Sequence, residues 1–344
     1  MTDTPHLDRL TARGRAFLGS RHAILGGAMT WVSERHLVSA ISNAGGFGVI
    51  ACGAMTPDML AAEIAATRAL TDRPFGVNLI TLHPLLMDLV AVCREQEVSH
   101  VVLAGGLPPA PAIAGVREFA RLICFAPNYA IARKLLRSGA EALVIEGSEA
   151  GGHVGPVSLA VLAQEILPAL PEATIFAAGG IGNGLGVAAM VEMGASGVQL
   201  GTRFAASAES VAHPAFKQAF LRAAARDAVA SVQLDPRLPV IPVRALKNAG
   251  TEAFMAKQRE VAERLDRGEI EPALASLEIE HYWAGALRRA VVDGDVETGS
   301  LMAGQSVGMV KAIEPVATII DTLVAEAEGL LAHRRAVEPI SEPA

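Results

Sequence analysis

Eight short, nearly continuous apolar runs recur through the first two thirds of the chain, and each is followed by a stretch with helical character. The runs are Ala23–Gly27, Gly48–Ala51, Phe75–Leu79, His100–Leu103, Leu122–Phe125, Ala142–Glu146, Thr174–Ala178 and Gly197–Leu200. Parallel strands that are buried on both faces have this continuous apolar pattern. Eight such units predict an α/β protein with a closed (β/α)8 barrel, the TIM barrel, and an open doubly wound sheet is the alternative.

Polar residues and glycines mark where the intervening helices begin and end. Side chains of Ser, Thr and Asn accept hydrogen bonds from the amides of the first helical turn, and a left-handed glycine ends a helix. The predicted N-caps are Ser33, Thr56, Asn128 and Ser158, and the predicted helix stops are Gly139 and Gly194. These signals place helices between the apolar runs, as a β/α repeat requires.

The alternation ends after the eighth unit, where prolines and then a charged helical stretch follow. We interpret this part as a mostly helical excursion, a lid on the substrate side of the barrel mouth. The chain after it is expected to return as helices around a loop. The predicted units are an N-terminal segment (1–22), the barrel (23–221), the lid (222–284), the returning helices and loop (285–331) and a flexible tail (332–344).

Composition argues against several classes of function. The 29 basic and 36 acidic residues give a formal net charge of −7, whereas broad nucleic-acid binding needs a basic face. No uninterrupted apolar run reaches the roughly 20 residues of a membrane helix. Cys52, Cys93 and Cys124 have neither metal-ligand spacing nor a disulfide pattern, and the histidines form no ligand pair. We therefore expect a cytoplasmic protein without a catalytic metal.

Glycine clusters follow the last two predicted strands. The clusters are Gly179-Gly180 and Gly201-Thr202. Active sites of barrels lie at the carboxyl ends of the strands, and a phosphate site often follows the seventh and eighth. Glycines let backbone N–H groups approach a phosphate closely, and Thr202 adds a hydroxyl donor. We predict a phosphate site here; the alternative is two tight turns that merely need small residues.

Three further residues stand at or just after the ends of predicted strands. His153 follows the sixth strand in a glycine-rich loop over the barrel mouth, where an imidazole can act as a general acid or base. Gly27 and Asn78 end the first and third strands. A flat ring across a barrel mouth needs a small residue beneath it and an amide at its edge, and these two residues suit those roles. The alternatives are a structural or exposed His and a turn or cap Asn.

Four segments together resemble one family. They are Ala40–Gly48, Glu146–Gly155, Ala177–Gly182 and Gln199–Phe204. On these segments the chain resembles, from about residue 20 to 328, the FMN-dependent nitronate monooxygenase (2-nitropropane dioxygenase) family, which includes the flavin-dependent enoyl-acyl-carrier-protein reductases. Its resemblance to the reductase branch is carried by Gly26–Val32, Ala212–Pro214, Val243–Asn248 and Gly299–Gln305. The proline-rich segment Ala104–Pro109 departs from that branch on the substrate side.

The resemblance implies that the barrel binds FMN, that the returning loop lies beside the flavin, and that a set of site residues and an electron donor can be named. Those that match FMN-binding positions are Asn78, Glu146, Gly151, Gly180, Gln199, Leu200, Gly201 and Thr202, and His153 matches the active-site His. It implies that NADH or NADPH reduces the flavin, which then reduces the C=C bond of an enoyl thioester. Nitronate oxidation with O2 and NAD(P)H:quinone reduction are alternatives on the same scaffold. A non-redox barrel that binds a phosphorylated small molecule is the alternative from another class.

The expected partner is a small molecule or an acyl thioester, carried by coenzyme A or by an acyl carrier protein. An acyl carrier protein is acidic and would need a local basic patch on this acidic chain. The candidates for that patch are Arg222, Arg226, Lys247, Arg288 and Arg289. A homodimer is one expected assembly, and neither nucleic acid nor a membrane is expected to bind.

Overall fold

The computed structural model describes residues 3–53, 55–235, 237–238 and 242–337. Its strands are β1 (Ile24–Gly26), β2 (Gly48–Ala51), β3 (Phe75–Ile80), β4 (His100–Ala104), β5 (Arg121–Phe125), β6 (Ala142–Glu146), β7 (Gly152–His153), β8 (Thr174–Ala178), β9 (Gly197–Leu200), β10 (Ala228–Ala230) and β11 (Val243–Leu246). Each predicted barrel strand is present, and its ends differ from the prediction by at most one residue. The apolar runs located the strands because both faces of each strand are covered.

The barrel closes on itself. Eight parallel strands form one sheet in the order β1-β9-β8-β6-β5-β4-β3-β2. The two edges meet where Leu25 pairs with Phe47. The Phe47 amide donates to the Ile24 carbonyl at 2.8 Å, and the Phe47 carbonyl accepts from the Gly26 amide at 2.9 Å. The predicted closed (β/α)8 barrel is confirmed, and the open-sheet alternative is wrong.

Helices connect and surround the strands. They are α1 (Pro5–Leu10), α2 (Ala12–Leu18), α3 (Arg35–Asn43), α4 (Pro57–Arg68), α5 (Leu86–Glu95), α6 (Ala110–Arg117), α7 (Tyr129–Ser138), α8 (Leu159–Ile166), α9 (Gly184–Glu192), α10 (Thr202–Ala205), α11 (Pro214–Arg222), α12 (Ala249–Asp266), α13 (Pro272–Arg288) and α14 (Val316–Val337). Short 3₁₀ turns cover Ala225–Asp227 and Gln305–Met309, and a π-helical turn covers Arg289–Asp293. Within the described residues, no helix combines the length and apolar character needed to cross a membrane.

Two of the four predicted N-caps are confirmed and two are corrected. Thr56 and Asn128 accept hydrogen bonds from the first turns of α4 and α7. Ser33 does not cap α3; the Glu34 carboxylate does, while the Ser33 hydroxyl donates to the Gly27 carbonyl at 2.8 Å. Ser158 occupies the N-cap position of α8 without a side-chain bond. A carboxylate from elsewhere in the chain takes its place, as described below.

Both predicted glycine stops have the expected backbone. Gly139 caps α7 in the left-handed conformation at φ +110°, and Gly194 follows α9 at φ +106°. Their lack of a Cβ permits this conformation, which ends each helix before the next strand.

Helix α2 plugs the amino-terminal end of the barrel. Phe17 belongs to the interior core and packs edge-on against the His100 ring, with 5.3 Å between ring centroids. The Phe17 carbonyl lies 2.9 Å from His100 Nε2 and 2.5 Å from a guanidinium nitrogen of Arg121. With one end closed in this way, the opposite end is the open mouth.

The lid has a small core of its own. Phe254 and Val261 of α12 pack with Ala275 and Ile279 of α13 in a cluster separate from the barrel core. The strand β11 lies between β10 and β7 in a three-stranded antiparallel sheet, so the lid is joined to the loop that follows β6.

Three predicted unit boundaries can be compared with the helices. The limit between residues 221 and 222 falls just before the last residue of α11. The limit between 284 and 285 falls inside α13, and the limit between 331 and 332 falls inside α14, which continues to Val337. The first six residues of the predicted tail are therefore helical. Residues 338–344 lie outside the described residues, as do two of the lid prolines, Pro236 and Pro239.

Candidate active site

Three polar side chains point into the barrel at the carboxyl end of its strands. The parallel register places Glu146 beside Ala178 and Ala178 beside Gln199. Asn78 lies near the corresponding end of β3, beside Val102 of β4. Ala178 and Val102 belong to the interior core, and residues directly across a parallel sheet point to the same face. Asn78, Glu146 and Gln199 therefore face the interior just below the mouth.

These three side chains have no hydrogen bond to any residue that the structure describes. Asn78 is only 5% exposed and Gln199 only 8%. Burial raises the pKa of Glu146 to about 8, so its carboxyl is mostly protonated at neutral pH. Polar groups in such positions normally have partners, which points to a ligand. A flavin fits this set, because the pyrimidine edge of its ring offers both donors and acceptors.

Gly27 borders the space beside Gln199. Its amide donates to the Leu200 carbonyl at 2.8 Å, which fixes the backbone after β1 against the end of β9. A Cβ at Gly27 would lie 3.4 Å from that carbonyl oxygen and 3.7 Å from Gln199 Nε2. Gly27 thus keeps the space next to the amide free, as its predicted role beneath a ring requires.

The turn after β8 depends on its two glycines. Gly179 and Gly180 have φ values of +94° and +73°, a region that favours glycine. A Cβ at Gly179 would approach the Gly147 carbonyl oxygen to 2.9 Å, and one at Gly180 would approach the Glu149 Cβ to 3.1 Å. The turn therefore lies directly against the loop that follows β6.

The second cluster continues this edge. Gly201 precedes α10, and no backbone hydrogen bond within the described chain uses the amides of Gly180, Gly201 or Thr202. The Leu200 side chain is buried and its carbonyl accepts the Gly27 amide, so Leu200 takes part in this site through its backbone. The Thr202 hydroxyl oxygen accepts the Gly304 amide at 2.9 Å, which leaves its own hydrogen to donate. Three free amides and one hydroxyl are suitable donors for a phosphate.

The returning loop packs into this site. A Cβ at Gly151 would lie 2.6 Å from the Ala303 carbonyl carbon, so Gly151 is needed for close approach of that loop. The Gln305 amide donates to the Glu149 carbonyl at 2.9 Å. The loop around Ala303 and Gly304 therefore lies between the His153 loop and Thr202, next to the predicted phosphate donors.

His153 lies on β7, in the loop that leaves the mouth end of β6. Its side chain is exposed, and its backbone is paired antiparallel with Val243 of the lid. Gly152 before it has φ +78°, and a Cβ there would lie 3.6 Å from the Met302 sulfur. The imidazole is thus carried on a loop held between the lid and the returning segment. No cluster of His, Cys, Asp and Glu able to hold a metal occurs in the described parts of the chain.

Comparison with known proteins decides the family. The family model for nitronate monooxygenase matches residues 13–326, which spans the barrel, the lid and most of the returning segment. The chain belongs to the nitronate monooxygenase family. It is therefore an oxidoreductase with a flavin cofactor, and the non-redox alternative is wrong.

Individual members of the family differ in what they are named for. The chain is 32% identical to the (3aS,4S,5R,7aS)-5-hydroxy-7a-methyl-1-oxo-octahydro-1H-indene-4-carboxyl-CoA dehydrogenase of Mycobacterium tuberculosis, over 90% of this chain and 94% of that one. It is 29% identical to a nitronate monooxygenase of Paraburkholderia phytofirmans, over 90% and 93%. The structure of FabK from Thermotoga maritima has 37% identity and a TM-score of 0.83, over 95% and 99%.

Two residues of the site region were missed by sequence reasoning. Glu149 Oε2 accepts the Leu159 amide at 2.9 Å and so caps α8 in place of Ser158. Trp31, in the loop after β1, has an unusual φ of +69°, and the Arg288 guanidinium lies 5.9 Å from the centre of its ring. Neither arrangement has a local signal, because each depends on the tertiary structure.

Proposed function

We propose that this protein binds FMN at the barrel mouth and, with NADH or NADPH as electron donor, reduces the C=C bond of an enoyl thioester. The observation that carries the cofactor assignment is the set of inward-facing groups without partners, Asn78, Glu146 and Gln199, beside the free amides of Gly180 and Gly201. The resemblance to the reductase branch and the 37% identity to FabK support the choice of reaction.

Each residue has a distinct role in this proposal. The Asn78 and Gln199 amides and the protonated Glu146 carboxyl bind the polar edge of the ring, and Gly27 leaves room for the ring itself. The amides of Gly180, Gly201 and Thr202 and the Thr202 hydroxyl bind the phosphate, and Gly179 gives the turn after β8 its left-handed backbone. A flavin held there would supply the redox chemistry that moves a hydride from the nicotinamide to the β-carbon of the substrate. His153 donates the proton that the α-carbon takes up.

Coenzyme A and an acyl carrier protein both carry a phosphate on the pantetheine arm that bears the thioester, so a basic patch favours binding of either. Arg288 and Arg289 are paired with Asp293 and Asp295. The other candidates are exposed, and they are Arg222, Arg226 and Lys247. Within the described chain, the one ion pair among them is the contact between Arg226 and Asp227 at 4.0 Å. We propose that these three residues contact the phosphate groups of the thioester carrier. The dehydrogenase named for a carboxyl-CoA supports a thioester substrate.

Nitronate oxidation is the second candidate. It is favoured by the family model and by the relative named nitronate monooxygenase. In that reaction His153 would act as a base toward the neutral nitroalkane, which gives the nitronate, and O2 would reoxidise the flavin. The two candidates use one site, and they differ in the direction of proton transfer at His153.

An anaerobic stopped-flow experiment separates the candidates. The flavin is reduced with NADH or NADPH and then mixed with an enoyl thioester, a quinone or O2, while the oxidised enzyme is offered an alkyl nitronate. We expect the enoyl thioester to reoxidise the flavin faster than O2 does, and the nitronate to react poorly. Rapid O2-dependent turnover of nitronates with no reaction toward enoyl thioesters would assign the protein to nitronate oxidation instead. A purified protein without a flavin spectrum would contradict the cofactor assignment.

A further inference from the structure

The loop that carries His153 is bound to the lid by backbone pairing. β7 runs antiparallel to β11, with His153 opposite Val243 and Gly152 opposite Arg244. Beyond this pair, the Val154 amide donates to the Pro242 carbonyl at 2.9 Å. The position of the imidazole therefore depends on a strand that lies far along the chain.

Arg244 connects this lid strand to the base of the His153 loop. Its Nε donates to the Ser148 carbonyl at 2.9 Å, and its Nη1 donates to the Ala228 carbonyl at 2.5 Å. Ser148 closes the loop, because its amide donates to the Val157 carbonyl at 2.8 Å. A single guanidinium therefore joins the base of the loop, β11 and β10.

The surroundings of Arg244 act on its charge in opposite directions. The side chain is partly buried, and this burial lowers its pKa by more than the nearby Glu149 carboxylate raises it. Glu149 is itself fixed, by the Leu159 amide at its carboxylate and by the Gln305 amide at its carbonyl. The planar guanidinium donates in two fixed directions, which the single ammonium of a lysine cannot reproduce.

We propose that Arg244 is a positioning residue for His153. It holds the base of the loop, residues 147–158, against the lid, so that the imidazole keeps the position from which it transfers a proton. This inference rests on the catalytic role proposed above for His153. Arg244 itself acts through the loop, and a displacement of about 1 Å in such a group lowers a rate by about 10²-fold.

The test compares three flavin-loaded variants. Arg244→Ala removes both hydrogen bonds, and Arg244→Lys keeps the charge beside Glu149 while losing the two-carbonyl geometry. Arg259→Ala is the matched control, because Arg259 lies on the lid helix α12 with an exposed side chain. The rates of flavin reduction and of reoxidation by the second substrate are measured separately by stopped flow. Hydrogen exchange is measured at the amides of residues 148–158.

We expect Arg244→Ala to slow the second half-reaction by about 10–100-fold and to leave flavin reduction within about twofold of the wild type. Exchange should accelerate at residues 148–158 and not in the barrel strands. Arg244→Lys should fall between Arg244→Ala and the wild type, and Arg259→Ala should match the wild type. Equal losses in both half-reactions, or unchanged exchange at residues 148–158, would overturn the proposal.

A double-mutant cycle distinguishes positioning from an independent effect. In the His153→Ala background, adding Arg244→Ala should slow the second half-reaction little further, because no imidazole remains to be positioned. Fully additive losses would show that Arg244 acts independently of His153 and would overturn the inference. If no enoyl thioester reoxidises the reduced flavin, the proposed function fails. The exchange measurement and the cycle, run with whichever substrate reacts, still decide the role of Arg244.

Discussion

The three inward-facing polar residues of the candidate site offer hydrogen bonds that the fold itself does not use. The protonated Glu146 carboxyl can both donate and accept a hydrogen bond at neutral pH, because burial holds its pKa at about 8. The amides of Asn78 and Gln199 offer the same combination. Under the proposed function, such a set at a barrel mouth binds a ring with alternating donors and acceptors, and the more exposed His153 transfers the proton.

The proposed proton transfer predicts the behaviour of His153→Ala. The variant should keep its fold and its flavin, because the side chain is exposed and lies outside the core. Its second half-reaction should slow by about 10²-fold or more, whereas reduction by NAD(P)H needs no such donor and should change much less. Stopped-flow measurement of the two half-reactions checks this, with the exposed His36→Ala on α3 as control. Equal losses in both steps would indicate a binding role, and no loss would make solvent the proton source.

The phosphate assignment predicts that Gly180→Val is purified mostly without flavin. Valine at φ +73° is strained by about 1–2 kcal/mol, and its Cβ would press on Glu149. The free amide at this turn would then lose its close approach to a phosphate. The control is Gly155→Val, because a Cβ at Gly155 has no neighbour within 4 Å. The flavin-to-protein absorbance ratio and the flavin dissociation constant provide the measurement. A fully yellow Gly180→Val protein with unchanged affinity would show that the phosphate binds elsewhere.

Among the helices and strands, the sequence predicted the features that depend on neighbouring residues and missed those that depend on contacts with distant segments. The barrel strands were located to within one residue at each end, because continuous burial leaves an apolar run that can be read directly. The two-residue strand β7 carries no such pattern and forms only because β11 pairs with it. Its pairing, and with it the contact between His153 and the lid, required the structure.

Caps and boundaries show the same distinction. Asn128 caps the helix that starts next to it, and the sequence pattern predicted this correctly. The cap of α8 comes from Glu149, on the other side of the His153 loop, and no spacing rule predicts it. The predicted lid boundary between residues 284 and 285 falls inside α13, because this helix continues from the lid core toward the barrel without interruption. Site residues on strand ends were therefore easier to predict than the contacts that hold the loops.

The burial of His100 against helix α2 predicts that the stability of the protein depends on pH. Burial lowers the pKa of His100 to about 4, below the ordinary value of 6.5, so the unfolded chain binds the proton more readily. The stability is then fully present above pH 6.5 and is lost as the pH falls toward 4. We expect His100 to contribute about 2–3 kcal/mol to the decrease in unfolding free energy between pH 7 and pH 4.5. Urea unfolding of His100→Gln should show a correspondingly smaller decrease, and the exposed His36→Gln should not. Parallel curves for wild type and His100→Gln would contradict this.

At the scale of the whole molecule, the site is assembled from segments that are distant in the sequence. Thr202 follows the last barrel strand, Glu149 belongs to the loop after β6, and Gly304 lies in the returning segment after the lid. Gly304 donates its amide to Thr202, and its neighbour Gln305 donates to Glu149. The family model covers all three segments. The returning segment therefore packs against the candidate site, and under the proposed function flavin binding is coupled to that packing.

That coupling predicts a loss of flavin affinity in Gly304→Ala. The new Cβ would lie 2.8 Å from the Glu149 carbonyl oxygen, 3.1 Å from the Gly151 amide nitrogen and 3.2 Å from Thr202 Oγ1. Overpacking of this kind costs about 1–3 kcal/mol and displaces the loop from Thr202. We expect the flavin dissociation constant, measured by fluorescence titration, to rise by about tenfold.

The control for this variant is Gly329→Ala, which places the same methyl group on α14 with no neighbour within 4 Å. Alanine is favoured over glycine inside a helix, so Gly329→Ala should gain up to about 1 kcal/mol of stability at unchanged flavin affinity. The two substitutions are chemically identical and lie on the same returning segment. If Gly304→Ala bound flavin as tightly as Gly329→Ala does, the returning loop would be only a cover over the barrel, and the Thr202 hydroxyl would not need Gly304 to orient it.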